Sequence, residues 1–147
     1  MARPPRLAVR AVIVHDARLL LVNAYKDRSD LWCAPGGGVE PHSSLHDNLA
    51  REVSEETGLR ISIEEPCLVN EFHDPDGDYH QVDLYFRCTV ADARIDPAWR
   101  DPEGVVHNRR WVTREEVADL RVKPDALARV AFDGESGVYD PLEPIVR

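Results

Sequence analysis

The chain has 147 residues, 43% of them apolar and 31% charged, which suits one domain with its own core. Its formal charge of −9 argues against binding a nucleic acid polymer irrespective of sequence, since such binding relies on Lys and Arg neutralising phosphates. The cysteines Cys33, Cys67 and Cys88 are far apart and form no C-x-x-C pair, so thiols in a reducing compartment are expected rather than a zinc site or disulfide framework.

Met1 to Arg6, with Pro4 and Pro5, reads as a loose leader. Arg10, His15 and Asp16 interrupt any signal-peptide core, and no run approaches the roughly 18 apolar residues of a membrane span. A cytoplasmic protein without a membrane partner is expected. Leu7 to Val14 and Leu19 to Val22 are apolar runs around His15-Asp16-Ala17-Arg18, the pattern of a hairpin without the strong Asn-Gly turn. A polar loop, Asn23 to Asp30, leads to a short strand, Leu31 to Ala34, which Pro35 and a loop of three glycines terminate.

Leu45, Leu49 and Val53 then recur every four residues as the buried stripe of a helix. Ser43 or Ser44 can cap its start, and Gly58 stands where a left-handed residue would end it. Beyond it, Leu59 to Ile63 and Cys67 to His73 read as separate strands, and Asp74 to Asp78 as a turn. That turn lacks the glycine and glutamate positions of an EF-hand loop; Tyr79 and His80 beside it can face a substrate, with simple surface exposure as the default reading. Val82 to Val90 alternates, with Val82, Leu84, Phe86, Cys88 and Val90 on the apolar face and Asp83, Tyr85, Arg87 and Thr89 opposite, as in a half-buried strand.

A loop from Ala91 to Gly104 precedes a strand from Val105 to Val112, in which Arg109 or Arg110 can meet phosphates. Thr113 and Glu116 form a capping box for a helix to Leu120, and Pro124 opens another to about Phe132. The tail from Gly134 can pack on the domain, reach a partner or remain free. Strands dominate, so the expected fold class is α+β with a mixed sheet.

The carboxylates of the first helix are the anomaly. Glu52, Glu55 and Glu56 lie side by side at i, i+3 and i+4, in the last turns where the macrodipole disfavours anions. Each like-charge pair costs roughly 0.2–0.5 kcal/mol, and Glu56 projects between Leu45 and Leu49 toward the apolar side. A divalent cation would reverse the sign of these penalties.

Gly37, Arg51, Glu52, Val53, Glu55, Glu56, Gly58 and Leu59 match eight of the nine specified positions of G-x5-E-x7-R-E-U-x-E-E-x-G-U, where U is a bulky aliphatic residue. The stretch resembles the Nudix box, the signature of the Nudix hydrolase family. Trp32 before Pro35-Gly36-Gly37 and Trp111 before an acidic helix extend the resemblance over about Leu7 to Leu120. It implies a mixed sheet between helices and hydrolysis of a nucleoside diphosphate linked to another moiety, with Mg²⁺ or Mn²⁺ as cofactor. It further implies that Glu52, Glu55 and Glu56 hold the metal with the Gly36 carbonyl, and that Arg51 orients a carboxylate of the site. The general base is either one of the helix glutamates, Glu55 or Glu56 among them, or a loop acid, with Glu103 ahead of Asp101. The first glutamate of the box falls on Ser43, which leaves Arg51 without that partner.

Two function classes follow. One is a pyrophosphohydrolase acting on a small nucleotide derivative, with ADP-ribose-like compounds or nucleotide sugars ahead of nucleoside triphosphates. The other is a nucleotide sensor that binds without turnover, favoured by Ser43 alone. Assembly is left open, a homodimer included.

Overall fold

The computed structural model describes residues 2–26, 28 and 30–146; Met1 of the leader, Asp27 and Ser29 of the polar loop and Arg147 of the tail lie outside them. Apolar runs without alternation belong to strands covered on both faces, and β1 (Arg6–His15) and β2 (Arg18–Asn23) are such strands. They form the expected antiparallel hairpin, with Val14 opposite Leu19 and His15 opposite Arg18. Asp16 and Ala17 both take positive φ, 49° and 60°. That is the backbone of a type I′ turn, whose twist matches the strands even without Asn-Gly.

β3 (Trp32–Cys33) pairs with β2. The glycine run is not a loop but a short strand, β4 (Gly36–Gly38), antiparallel to Ala8 to Arg10 of β1. A Cβ on Gly36 would stand 2.0 Å from the Val9 carbonyl oxygen, so glycine is what lets the two backbones approach.

After the first helix the two expected strands are one, β5 (Ile61–Asp74), with register shifts on either side of Pro66. Proline cannot donate to the ladder and sits where the pairing is irregular. β6 (Tyr79–Val90) runs antiparallel to β5 and parallel to β1. This interior position corrects the half-buried reading: Asp83 and Tyr85, placed on the polar face, are buried because that face is covered as well. β7 (Arg109–Val112) pairs with β2 and begins at Arg109 rather than Val105. The tail packs on the domain as β8 (Val138–Pro144), parallel to β5. The strands make one mixed sheet in the order β3-β2-β1-β6-β5-β8, with β4 on β1 and β7 on β2.

The helices cover both faces. α1 (Leu45–Thr57) lays Leu49 and Val53 on Val9, Ala11, Ile13, Leu20 and Phe86. On the other face, α2 (Arg114–Ala118) and α3 (Leu127–Phe132) bring Val117, Leu127 and Val130 to Val12, Leu19, Leu21, Tyr85 and Val112. Successive residues of β1 and β2 thus feed opposite cores, which is why these strands read as continuous apolar runs. The capping box of Thr113 and Glu116 is formed. Pro124 does not open α3; Ala126 takes the N-cap position, and Pro124 lies in the turn before it. Trp32 is buried in the core, and the half-buried Trp111 donates its indole N–H to the Ala93 carbonyl, so both are structural aromatics. The three cysteines are free thiols, with Cys67 and Cys88 buried. Among the described residues no helix is long and apolar enough to cross a membrane.

Candidate active site

The two ends of α1 are fixed by local chemistry. Of the two candidate caps, Ser44 is the one used, its Oγ accepting from the Asp47 N–H at 3.0 Å. At the other end Gly58 adopts φ 76° and donates to the Ser54 carbonyl. Between them the pitch turns Glu52 and Glu56 inward beside Leu49 and Val53, and both are buried.

Carboxylate oxygens of Glu52, Glu55 and Glu103 lie within 4.8 Å of one another. Glu103 comes from the 91–108 loop, so helix and loop converge. Glu52 lies against β4, where a Cβ on Gly37 would stand 2.5 Å from its Oε2. Burial raises the Glu52 pKa; Arg51 opposes the shift, and Glu55 and Glu103 add to it. Oε2 of Glu55 is buried without a hydrogen-bond partner among the described residues. Glu56 stands apart from the three, its Oε1 accepting the Gly36 N–H at 2.9 Å. Burial pushes its pKa up to about 8 against the opposing charge of Arg10.

This donor set fits a hard divalent cation. All its atoms are oxygens, and one is a buried acceptor lacking a donor, which hydrogen bonding alone leaves costly. Three carboxylate oxygens within 4.8 Å of one another are close enough that one such cation could be held by all three.

The loop that carries Glu103 is clamped to the C-terminus of α1. The Trp99 indole N–H donates to the Glu55 carbonyl at 2.8 Å, and its ring packs on Gly58. Arg109 donates to the Glu56 carbonyl and to that of Val106. These donors meet helix carbonyls that have no intrahelical partner. Asp101, the second loop acid, is committed elsewhere: it is buried and accepts the N–H groups of Glu103, Val105 and Val106, which shapes the loop. Arg110 pairs with Glu116. Both strand arginines thus have protein partners, Arg109 beside the carboxylates and Arg110 on α2. Trp99→Phe keeps a ring on Gly58 and deletes the donor. It is expected to cost about 1 kcal/mol of stability in urea melts; unchanged stability would show that the indole bond is idle.

Arg51 is not left without a partner. It bonds Glu40 and Asn48, each at 3.0 Å, and lies 3.4 Å from Glu52. Glu40 therefore stands in for the carboxylate absent at Ser43. Asn48, fully buried, accepts from the Glu40 N–H and donates to the Ser43 and Ser44 carbonyls, tying the approach turn to the helix. Asn48 and Trp99 escaped the sequence reading; a polar residue on the apolar side of α1 was the available signal for the first.

On the opposite sheet face a pocket of about 270 Å³ lies between the strands, Tyr25, Pro124 and the tail through Val146. Tyr79 lines it, whereas His80 points away and pairs with Glu71. Arg10 links pocket and site: it lines the pocket, donates to the Ala34 carbonyl at 3.2 Å and acts by charge on Glu56.

The model of the NUDIX domain matches residues 4–131. Over 93 residues the chain is 28% identical to the putative ADP-ribose pyrophosphatase YjhB of Bacillus subtilis (strain 168), covering 61% of this chain and 44% of that one. Over 59 residues it is 39% identical to the CTP pyrophosphohydrolase of Escherichia coli (strain K12), covering 39% of this chain and 44% of that one. The chain thus spans less than half the length of either relative. A NUDIX hydrolase structure from Nitrosomonas europaea superposes with a TM-score of 0.73 at 22% identity, covering 90% of this chain and 92% of that one, which shows a shared fold. With the domain matched over most of its length and the box helix in place, the chain belongs to the NUDIX domain family.

Proposed function

We propose that the protein hydrolyses the pyrophosphate bond of a small nucleoside diphosphate derivative in the presence of Mg²⁺ or Mn²⁺. The observation that carries this reading is the unpartnered Glu55 oxygen within the Glu52, Glu55 and Glu103 cluster. Those three side chains would hold the cation, with Glu56 and the Gly36 carbonyl, joined through the Gly36 N–H, at the rear of the site. The chemistry a divalent cation supplies there is neutralisation of phosphate charge and activation of water as a nucleophile.

The remaining roles fall to the chain itself. Arg51 holds the Glu52 carboxylate in place while Glu40 and Asn48 fix its guanidinium. Glu103 is the exposed member of the cluster, so it can accept a proton from an attacking water. Trp99 and Arg109 keep its loop on the helix. The pocket that Arg10 shares with the site is where the nucleoside end of the substrate would sit. ADP-ribose-like compounds and nucleotide sugars stand ahead of triphosphates, in keeping with the name of the Bacillus subtilis relative.

A panel of dinucleoside polyphosphates, nucleotide sugars, ADP-ribose and nucleoside triphosphates tests the reading, with release of nucleoside monophosphate or pyrophosphate as the readout. At least one member is expected to turn over with Mg²⁺ or Mn²⁺ and not with EDTA. Metal-dependent nucleotide binding with no cleavage of any member would establish the sensor instead. The feature behind that alternative, Ser43, is offset by Glu40 at Arg51.

A further inference from the structure

Two buried nitrogens that line the pocket lack a hydrogen-bond partner among the described residues, Nε of Arg10 and Nδ2 of Asn70, and the first lies at ion-pair distance from Asp83. Asn70 on β5 is 4% exposed and lines the pocket, and its Nδ2 meets no acceptor among the described residues. A buried amide donor left open in this way is destabilising and calls for an external partner.

Directly opposite Asn70, on β6, stands Asp83, 3% exposed and also lining the pocket. Its environment is ordered by a chain of contacts. Arg6 and Tyr79 both donate to Oε1 of Gln81, which turns the Gln81 Nε2 toward Asp83 Oδ1 at 2.7 Å. On its other side Asp83 Oδ2 lies 3.4 Å from Nε of the largely buried Arg10. A carboxylate offers about four lone-pair sites, so acceptor capacity remains. An open donor and a fixed acceptor therefore sit side by side across two strands, at the separation of a cross-strand pair. Phe72, Tyr25 and Leu31 give the same pocket flat and apolar walls.

The ligand that satisfies this arrangement has an acceptor and a donor adjacent on one rim and apolar faces. With flat apolar faces, such an edge is that of a heteroaromatic ring carrying an amidine or lactam group, as in a nucleobase; vicinal hydroxyls of a sugar also donate and accept, and a probe without a base separates the two. We infer that Asn70 and Asp83 form the specificity-determining pair of this pocket, reading the acceptor–donor edge of the base. The inference rests on the proposed function for its substrate class, but it concerns binding and can be tested without hydrolysis.

In EDTA, AMP, GMP, CMP and UMP are titrated against the full chain, with ribose 5-phosphate as the probe lacking a base and purine riboside 5′-monophosphate as the ring lacking the exocyclic donor. At least one of the four is expected to bind about tenfold more tightly than ribose 5-phosphate. Asn70→Leu should remove about tenfold of that affinity and leave ribose 5-phosphate unaffected. Because the substitution also removes an unpartnered buried group, the ligand-free Tm should hold or rise, which a merely structural asparagine would not allow. Purine riboside 5′-monophosphate should bind more weakly than AMP in the wild type. Equal binding of all probes, or a lowered Tm with unchanged base affinity in Asn70→Leu, overturns the inference. Because these titrations contain no metal, failure of the panel to turn over bears on the hydrolase reading alone.

Discussion

Glu56→Gln is expected to lower turnover by about two to four orders of magnitude while leaving the fold intact. The carboxyl is 8% exposed and its Oε1 accepts the Gly36 N–H. A glutamine oxygen can accept the same bond at nearly the same volume, so β4 and α1 stay together. What disappears is the negative charge that Glu56 would place behind the Glu52, Glu55 and Glu103 cluster once a bound cation has displaced its proton. If it contributes about 3–5 kcal/mol to stabilising phosphate charge in the transition state, the Eyring relation gives that range of rates. The check is kcat under saturating metal, alongside circular dichroism and a melt. Turnover close to wild type would remove Glu56 from the site and leave the three clustered carboxylates to act without it. Loss of turnover with a collapsed fold would instead make Glu56 a structural group. The two outcomes are separable because Glu55→Gln alters the cluster without touching the Gly36 bond.

How much of this was legible in the chain depends on the distance over which each feature is decided. The register of α1, the inward turn of Glu56 and the Gly58 stop follow from helical pitch and one left-handed residue, so spacing was sufficient. The interior of the sheet was legible from β1 and β2, whose unbroken apolar runs have no solvent face. β6 misled because its buried polar residues look like a wet face; Asp83 is buried through Arg10 and Gln81, the first of these on another strand. Ser43 misled in the same way: the partner that Arg51 requires is supplied by Glu40, outside the expected position. Glu103 could be named from its place before the late strand, but not joined to the helix. That junction depends on Trp99 reaching back to Glu55 and Arg109 to Glu56, contacts with no sequence period. Likewise β8 is short, rich in turn residues and stabilised by neighbours, including the bond from the Ala126 N–H to Asp140.

The same buried carboxyl makes stability depend on pH in an unusual direction. Glu56 has a folded pKa of about 8 against an ordinary 4.5, so between those values the folded chain holds a proton that the unfolded chain has lost. Stability contributed by this group is full below the unfolded value and is lost as pH rises through the folded one. Glu52, raised by burial, acts in the same sense. Carboxylates lowered by their partners, such as Asp92 and Glu116, act oppositely but only in acid, where they lose their stabilising charge. Metal-free protein is therefore expected to lose a few kcal/mol of stability, on the order of the shift itself, between about pH 5 and pH 8. A divalent cation should reverse this, since binding the folded state alone stabilises it by about 2.7 kcal/mol at a hundred times Kd. The rescue should be greater at the higher pH, because the carboxylates must release protons to bind. Urea melts in EDTA and in Mg²⁺ at the two pH values measure both effects. In Glu56→Gln the pH slope should flatten. A slope that survives the substitution would place the titrating group elsewhere, and a metal effect equal at both pH values would separate the cation from the buried carboxyls.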